Sequence, residues 1–397
     1  MSWPERKLGE LCKVGRGSSP RPKHDQRYFE NGEIPWIKVA DATASGKYLL
    51  QTKEHVNAFG ASFSRLLPVG SLIICTSGTL GLAVFLGVEG CIHDGWLYTY
   101  DYDGLDPEFF YYFLQTQKNY FASVAYGAAI QNINTEILRN TLIRLPPIDQ
   151  QIRIARVLKT YDDLMENNRR RMALLEEAAR QLYREWFVRL RFPGHEHTPA
   201  TNGVPKGWEK TNVLQAISVL SGGTPKTTVP DYWDGDIPFY TPKDASENCY
   251  VLETERSITE LGLKNCNSRL YARDTVFISA RGTVGKLNLA YQPMAMSQSC
   301  YALIGKGHVS PLFLYCALQE SIANLKQHAV GAVFDAIIVD TFKLIPFVVP
   351  DVKNVRLFEE TVASMFRQVG NLLEQNQKLH TARDVLLPRL MSGEIAV

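Results

Sequence analysis

The chain has 397 residues, of which 45% are hydrophobic, and its 43 basic and 41 acidic residues give a net charge of +2 at pH 7. This length is enough for two or three domains with sizeable cores. No apolar run reaches the roughly 18 residues of a membrane span, so we expect no transmembrane segment. The balanced charge excludes a basic tail, and a nucleic-acid partner would therefore need a focused basic patch.

The seven cysteines include no Cys-x-x-Cys pair, and their odd number argues against a disulfide framework and against a structural zinc site. The first residues, from Met1 to Glu5, lack the basic and apolar pattern of a signal peptide. We therefore expect a cytoplasmic protein that holds no metal.

Residues 1–148 predict a mixed domain of strands, helices and loops. Residues 34–39 are typical of a short strand entered through a turn, and residues 71–75 are typical of a buried strand. The buried strand runs into a glycine turn at residues 77–81. Residues 107–118 predict a helix, because a proline stands in the first turn and the apolar residues follow helical spacing.

A long helix is predicted at residues 149–191, where no proline or glycine interrupts the chain. Its apolar residues recur at alternating steps of four and three, which is the heptad pattern of a coiled-coil seam with Asn168 as the polar exception. The seam residues are Ile154, Leu158, Tyr161, Met165, Asn168, Met172, Leu175, Ala179, Leu182 and Trp186.

Residues 192–206 are rich in proline, glycine and polar side chains, which indicates a linker. His195 and His197 alternate in this segment, but no further candidate ligands stand near them in the sequence. A surface loop is therefore a better interpretation than a metal site.

The rest of the chain repeats the first part at an offset of about 204 residues. A second mixed domain is predicted at residues 207–350, so the repeated unit is a globular domain followed by a long helix. The clearest matches pair residues 31–36 with 234–239, 77–81 with 281–285, 127–130 with 331–334, Trp3 with Trp208, and Pro147 with Pro350.

The second long helix is predicted at residues 351–392, followed by a tail at 393–397. In an antiparallel pair, setting Asn168 opposite Asn376 makes every other layer apolar except Tyr161 with Arg383, and a buried asparagine pair can fix register. Two separate amphipathic helices, each packed on its own domain, are the alternative. The second seam is Phe358, Val362, Met365, Val369, Leu372, Asn376, Leu379, Arg383, Leu386 and Leu390.

The predicted fold class is therefore α+β. Two repeated mixed α/β domains are separated by two long helices that form an antiparallel coiled coil, with pseudo-two-fold symmetry. Such an arrangement suits a partner with two sub-sites at a fixed separation, and DNA is the obvious one because half-site spacing follows protein geometry.

Catalytic motifs are missing from the sequence. The segment from Arg281 to Lys286 is reminiscent of a phosphate-binding loop, but Ala280 and Leu287 stand where that loop needs a glycine and a hydroxyl residue. No dinucleotide-binding glycine pattern follows a strand, and no zinc-protease or hydrolase motif is present. We therefore expect a protein that is not an enzyme and that needs no cofactor.

The two copies keep their glycines and prolines but differ in the polar residues around them. Arg, Lys, Asn, Gln, Ser and Thr are the residue types that contact base edges and phosphates, although each one singly could be a solvated loop residue. The candidate DNA-binding residues are Arg16, Ser18, Lys23, Lys38, Ser77, Thr79, Gln131, Asn132, Thr224, Lys226, Thr241, Lys243, Arg281, Thr283 and Lys286.

Several motifs, in a defined order, carry a resemblance to a known family. They are the stretch from Trp3 to Leu11, Ile34-Pro35-Trp36, Gly78-Thr79-Leu80-Gly81, Leu145-Pro146-Pro147 with Gln150-Gln151, Arg184-Glu185-Trp186-Phe187, Val204-Pro205-Lys206-Gly207-Trp208, and the stretch from Leu386 to Ile395. Together they resemble, over the whole chain, the specificity subunit of Type I restriction-modification systems.

The resemblance implies two target recognition domains, each reading one half of a bipartite asymmetric site in double-stranded DNA. The helices would act as a spacer and dock two methyltransferase (modification) subunits, which restriction (motor) subunits would then join. Methyl transfer and ATP-driven cleavage would belong to those partners, so this chain would be a non-catalytic specificity subunit without a cofactor or a membrane partner.

Two features depart from the family pattern. Arg383 stands at a core heptad position, where it could stack on Tyr161 or extend its head group to solvent. The second domain is slightly acidic, so its DNA face would have to be locally segregated. Two alternatives stay open: a coiled-coil scaffold protein with non-DNA ligand domains, and an enzyme with a site in the glycine turns.

Overall fold

The structure is a computed structural model that describes residues 3–125, 132–282, 284–328 and 337–397. The chain divides into two compact units. The first comprises Met1–Asn167 and Asn376–Val397, and the second comprises Asn168–Gln375. Each unit contains one sequence repeat together with a part of each long helix.

Short strands and helices make up the first repeat, which leads into a long helix. The described strands are β1 (Glu5–Lys7), β2 (Lys13–Arg16), β3 (Ile34–Ile37), β4 (Tyr48–Leu49), β5 (Glu54–Val56), β6 (Arg65–Leu67), β7 (Leu72–Cys75), β8 (Ala83–Leu86), β9 (Gly90–Ile92), β10 (Trp96–Tyr100) and β11 (Leu142–Arg144). The helices are α1 (Leu8–Leu11), α2 (Val39–Ala44), α3 (Ala58–Ser62), α4 (Pro107–Thr116), α5 (Lys118–Ala125), α6 (Thr135–Asn140) and α7 (Ile148–Tyr183).

The linker and the second repeat follow the same plan. The described strands are β12 (Ala200–Thr201), β13 (Val204–Pro205), β14 (Glu209–Asn212), β15 (Ile217–Ser221), β16 (Trp233–Tyr240), β17 (Tyr250–Val251), β18 (Ser257–Ile258), β19 (Val276–Ser279), β20 (Leu287–Ala290), β21 (Ala295–Met296), β22 (Cys300–Gly305) and β23 (Pro346–Val349). The helices are α8 (Val213–Ala216), α9 (Glu260–Lys264), α10 (Pro311–His328) and α11 (Val352–Met391).

Both repeats build the same sheets. In the first unit, a five-stranded sheet has the order β2-β10-β7-β8-β4 and a second sheet has the order β5-β3-β9-β6. The second unit contains the equivalent orders β15-β22-β19-β20-β17 and β18-β16-β21. A single bridge between Tyr271 and Met294 stands where the first unit pairs β6 with β9. The repeat in the sequence is therefore a repeat of topology.

The five-stranded sheet forms the centre of each core. Every residue of β7, β8 and β19 is buried, which agrees with the uninterrupted apolar runs in these strands. In the first unit, one face of the sheet packs against α4 and the start of α7, and the other face packs against residues such as Ile37 of β3 and Ala42 of α2. The buried strand predicted at 71–75 is thus confirmed in position, and β19 is its counterpart in the second unit.

The strand predicted at residues 34–39 is shorter than expected and ends at Ile37. The side chain of Asp41 accepts a hydrogen bond from the backbone N–H of Lys38 (3.1 Å), which caps a helical turn that begins at Val39. This change of direction places Lys38 at a corner rather than within a strand.

The first long helix is anchored at its start by the buried side chain of Gln151. Its amide donates to the carbonyls of Gly104 (2.9 Å) and Pro146 (2.8 Å) and accepts from the N–H of Asp106 (2.8 Å). After Tyr183 the helix continues as one π-helical turn, Arg184–Val188. It ends before residue 191, because Leu190 adopts a left-handed conformation with a φ of 60°.

The second long helix begins and ends with recognisable caps. The Asp351 carboxylate accepts from the N–H of Asn354 (3.0 Å) and from the indole N–H of Trp208 (2.9 Å), which satisfies a donor of the first turn. At the other end, Gly393 has a φ of 78°, as is common for the residue that follows a helix. The helix thus extends from Val352 to Met391.

Within each unit, predicted seam residues from both helices lie in one apolar cluster. The first unit packs Ile154 and Leu158 with Leu386 and Leu390. The start of α7 thus meets the end of α11 in the first unit, and the reverse holds in the second, so the helices run antiparallel within each unit. The cluster in the second unit contains Met172, Leu175, Ala179, Leu182, Trp186, Phe358, Val362, Met365, Val369 and Leu372.

Arg383 does not simply extend into solvent from its heptad position. Its Nη1 donates to Asp162 Oδ1 (2.7 Å), and the same Asp162 carboxylate accepts from the hydroxyl of Tyr112 (2.6 Å). The side chains of Arg383 and Asp162 are 21% and 7% exposed. A buried ion pair thus joins α7, α11 and α4 in the first unit.

The predicted fold class is confirmed, with two mixed α/β repeats and two long helices. Within the described residues, no helix combines the length and the apolar character that crossing a membrane requires.

Candidate nucleic-acid interface

One end of the five-stranded sheet in the first unit brings three connections together. Strand β2 ends where β10 begins, with Arg16 paired to Leu97, and β7 ends beside the same point, with Cys75 paired to Trp96. The loop after β2 (residues 17–33, the first recognition loop), the turn before β10 and the glycine turn after β7 therefore meet at this end.

Backbone hydrogen bonds hold these connections in contact. The N–H of Gly17 donates to the carbonyl of Trp96 (2.9 Å), and that of Thr76 donates to Gly95 (3.0 Å). The N–H of Ile133 donates to Thr76 (3.0 Å), and the indole of Trp96 donates to the carbonyl of Ile37 (3.1 Å). The structure thus brings together the candidates Arg16, Ser18, Lys23, Lys38, Ser77, Thr79 and Asn132, whereas Gln131 lies outside the described residues.

Asp94 is the centre of this end of the sheet. Its carboxylate accepts hydrogen bonds from Ser19 Oγ (2.6 Å), Lys23 Nζ (2.8 Å) and Arg21 Nη2 (2.9 Å). Its backbone carbonyl accepts from Arg16 Nε (2.9 Å). These five residues, which we name the Asp94 cluster, tie the first recognition loop to the turn before β10.

Asp94 and its neighbour His93 both have a pKa below the ordinary value, but for different reasons. Burial raises the pKa of the Asp94 carboxyl, but the hydrogen bonds from Lys23 and Ser19 outweigh burial and leave this pKa well below its ordinary value. Burial lowers the pKa of His93 to about 4. At neutral pH, Asp94 is therefore charged and His93 is neutral, so His93 adds no positive charge to the interface.

Two other candidates in the first unit are constrained by their surroundings. The ammonium of Lys38 forms an ion pair with Glu54. The side-chain oxygen Oδ1 of Asn132 is buried and has no hydrogen-bond partner among the described residues. By contrast, Ser18 and Thr79 are exposed, and Ser77 is half-buried.

The equivalent end of the sheet in the second unit has the same backbone frame. The N–H of Gly223 donates to Met296 (3.1 Å), and the N–H groups of Ala280 and Arg281 donate to Ser299 (2.9 and 3.3 Å). The glycines of both glycine turns have positive φ, 77° and 74° at Gly78 and Gly81 and 78° at both Gly282 and Gly285. Side chains other than glycine rarely adopt this conformation, which explains why these glycines occur in both copies.

The side chains on this frame differ from those of the first unit. The hydroxyl of Thr224 donates to Gln298, which occupies the position of Asp94 at an offset of 204. The Thr241 hydroxyl and N–H both donate to Asp244 (2.7 Å each), so this threonine caps its own loop. Thr283 lies outside the described residues.

The basic candidates of the second unit fall into two groups. Lys286 forms an ion pair with Glu247, and the exposed Lys243 lies 3.7 Å from a carboxylate oxygen of Glu255. Arg281 and Lys226 are exposed, and no carboxylate of the described residues forms an ion pair with either. These two cations are thus available to an anionic partner.

Sequence reasoning missed Asp94, Ser19 and Arg21 in the first unit and Gln298 in the second. A signal for them existed, because Ser19 and Thr224, like Asp94 and Gln298, are related by the repeat offset. The matches that identify the repeat are mainly glycines and prolines, and changed polar residues at equivalent positions carry the same information.

The close approach of Gly17 to the turn before β10 leads to a stability prediction. A Cβ atom at this position would lie 2.1 Å from the carbonyl oxygen of His93, which is main chain and cannot rotate away. We expect Gly17→Ala to lower the free energy of unfolding by about 1–3 kcal/mol, as overpacking does. The exposed neighbour Ser18 is the control, since Ser18→Ala should stay within about 0.5 kcal/mol in the same urea titration.

The two asparagines of the helix seams occupy different units. Asn168 is 7% exposed, and Asn376 donates from Nδ2 to the backbone carbonyl of Met165 (3.1 Å). Asn376 therefore contacts the opposite helix within the first unit. The pairing of Asn168 with Asn376 stays a prediction.

Side chains suited to metal binding are dispersed. The described part of the chain contains no group of three or more His, Cys, Asp or Glu residues that could hold a metal ion. All seven cysteines are free thiols, and all except Cys266 are buried. His195 and His197 lie in a short 3-10 turn of the linker.

Comparison with known proteins gives one consistent family. Residues 2–177 and 205–381 match the family described as the Type I restriction modification DNA specificity domain. The MjaIX specificity subunit of a Type I restriction enzyme from Methanocaldococcus jannaschii is 24% identical over 414 residues, covering 100% of this chain and 94% of the relative. The HindI specificity subunit from Haemophilus influenzae is 26% identical over 195 residues, covering 48% of this chain and 42% of the relative.

A solved structure agrees in fold. The S subunit of a Type I restriction-modification system from M. genitalium superposes with a TM-score of 0.59 at 17% sequence identity, covering 98% of this chain and 96% of that one. Because the family match includes both repeats and most of the chain, this protein belongs to the Type I restriction-modification DNA specificity family.

Proposed function

We propose that this chain is the non-catalytic DNA specificity subunit of a Type I restriction-modification complex, and that each repeat reads one half of a bipartite asymmetric site. One observation carries the proposal. The same backbone frame, at the same end of the same five-stranded sheet, presents a different set of polar side chains in each unit.

The differences are of the kind that changes base recognition. Arg16, Ser19 and Asp94 in the first unit stand where Ser221, Thr224 and Gln298 stand in the second. Asp94 holds Ser19, Arg21 and Lys23, whereas Gln298 holds Thr224, so the two loops present different polar side chains to base edges. Two unlike readers on one frame would recognise an asymmetric site.

The long helices would set the distance between the half-sites. Both helices contribute to both units, so in this proposal their length would determine the spacing of the two half-sites. Exposed apolar residues on them, such as Leu174 (71%) and Val385 (56%), supply surface for docking partner subunits. In this proposal, two methyltransferase subunits dock there, restriction subunits join the complex, and both reactions occur in the partners.

A domain exchange tests modular reading. Residues 1–148 are replaced by the matching residues of a relative with a different recognition site, and the chain is expressed with its methyltransferase partner. Sequencing of the methylated motifs in the host should show one changed half-site and one unchanged half-site, with the spacer kept.

Exchanging residues 207–350 instead is the matched experiment and should alter the other half-site. If either exchange changed both halves of the motif, the two domains would not read DNA independently and the proposal would fail. A chain that supported no methylation in the unexchanged form would speak against the specificity-subunit assignment itself.

A further inference from the structure

The carboxylate of Asp94 offsets part of the positive charge of Arg21 and Lys23 and leaves both cations accessible. The side chains of Arg21 and Lys23 are 67% and 43% exposed, and that of Asp94 is 34% exposed. Solvent and a large polyanion can therefore reach both cations. The single carboxylate between them accepts a hydrogen bond from each, as a DNA phosphate would.

Exposed ion pairs of this kind are individually weak, about 0–1 kcal/mol each. A phosphate can therefore displace the carboxylate from Arg21 or Lys23 without a large penalty. The negative charge of Asp94 remains in place after displacement, however, and it repels the incoming phosphate. The carboxylate thus opposes any contact that depends on phosphate charge alone.

The second unit lacks this charge at the equivalent position. Gln298 is neutral and holds the loop through one hydrogen bond from Thr224. Lys226, in the loop that corresponds to the first recognition loop, forms no ion pair with a carboxylate of the described residues. The two units therefore differ in whether a carboxylate neutralises the basic residues of the loop.

We propose that Asp94 is an electrostatic restraint on the first recognition loop: by offsetting part of the positive charge of Arg21 and Lys23, it limits the sequence-independent affinity of this domain for DNA. The inference rests on the proposed function, since it supposes that this end of the sheet faces DNA. Asp94 is a positioning residue in this role, because it acts through the two cations.

The physical basis is counterion release. Sequence-independent binding depends on the number of phosphates that the protein neutralises, and each adds about 0.9 to the slope of log affinity against log salt concentration. Cations that already pair with Asp94 contribute less to this sum. Contacts with base edges depend on geometry instead, so the restraint widens the gap between cognate and non-cognate DNA.

Asp94→Asn in the full chain, assembled with its methyltransferase partner, tests the proposal. The amide keeps the shape and can still accept from Ser19, but it no longer neutralises the cations. Binding to a duplex without the recognition site should strengthen, and the salt slope should steepen by up to about 0.9, because one negative charge is removed. The ratio of variant to wild-type affinity should then fall roughly threefold to fourfold between 50 and 200 mM salt.

A matched control removes the same charge at the other end of the sheet. Asp101 follows β10 and pairs with Lys13 at the start of β2, and both side chains are at least 60% exposed. Asp101→Asn gives the same net charge as Asp94→Asn. Because Asp101 lies at the other end of the sheet, this variant should leave the salt slope unchanged. Gln298→Glu is the reciprocal variant and should weaken sequence-independent binding by placing a carboxylate in the second unit.

The outcomes are distinguishable. An unchanged salt slope for Asp94→Asn, with cognate binding intact, would overturn the inference and leave the specificity function standing. A purely structural role would appear as an equal loss of cognate and non-cognate binding, with a lower melting temperature, and would also overturn it. Absence of any preference for a bipartite site in the wild-type complex would instead count against the proposed function.

Discussion

Replacing Arg383 with alanine should lower the free energy of unfolding by about 3–5 kcal/mol, because removing one partner of a buried ion pair leaves the other charge uncompensated. Asp162 is 7% exposed. Of the two hydrogen-bond donors described above, Arg383 and Tyr112, it would keep the hydroxyl of Tyr112. Urea or thermal denaturation of the full chain, followed by circular dichroism, measures the loss.

Two controls distinguish the effect of breaking the buried ion pair from the effect of removing any positive charge. Arg356 forms an exposed pair with Glu360 on the same helix α11, and Arg356→Ala should change stability by less than about 1 kcal/mol. The double variant Asp162→Leu with Arg383→Met should recover most of the loss, because apolar residues of similar size often replace a buried pair without harm. A loss below 1 kcal/mol for Arg383→Ala would show that the pair is effectively solvated.

Lengthening both long helices should change the DNA site by a predictable amount. Seven residues with apolar seam positions, inserted after Asn167 in α7 and after Gln375 in α11, add one heptad to each helix at the division between the units. One heptad is about 10 Å long at 1.5 Å per residue, which corresponds to about three base pairs. We expect the spacer of the methylated motif to grow by about that number, with both half-sites unchanged.

Insertion into only one helix is the control for this experiment. The seams would then be out of register beyond the insertion, and the chain should lose stability and site-specific methylation. A longer chain that kept the original spacer would contradict the role of the helices as a ruler. Altered half-sites would also contradict it, because the recognition domains are untouched.

The long helices and the repeat could be predicted because their signals are long and local. Ten seam positions in each helix supply a periodicity that a single unusual residue, such as Arg383, does not obscure. The repeat offset then assigned equivalent positions without any knowledge of the fold. The buried strands β7 and β19 could be recognised from the sequence equally well, since each is a short apolar run that enters a glycine turn.

The sheet order and the Asp94 cluster could not be predicted in the same way. Strand β4 has only two residues, and its neighbour β8 is far from it in sequence, so no local pattern specifies the pairing. Arg16 and Asp94 are 78 positions apart and meet only because β2 pairs with β10. The sequence indicated which turns would carry polar residues, whereas the partner of each residue depended on tertiary pairing.

The buried pair of Asp162 and Arg383 has a consequence for how a duplicated chain assembles correctly. At the repeat offset, its counterparts in the second unit are Phe366 and Ala179, which lie together in an apolar cluster. If a helix segment from one repeat took the place of its counterpart, within a chain or between two chains, Asp162 would face alanine and Arg383 would face phenylalanine. Each mismatch buries an unpaired charge, so this one polar layer discriminates against exchanged helices during folding.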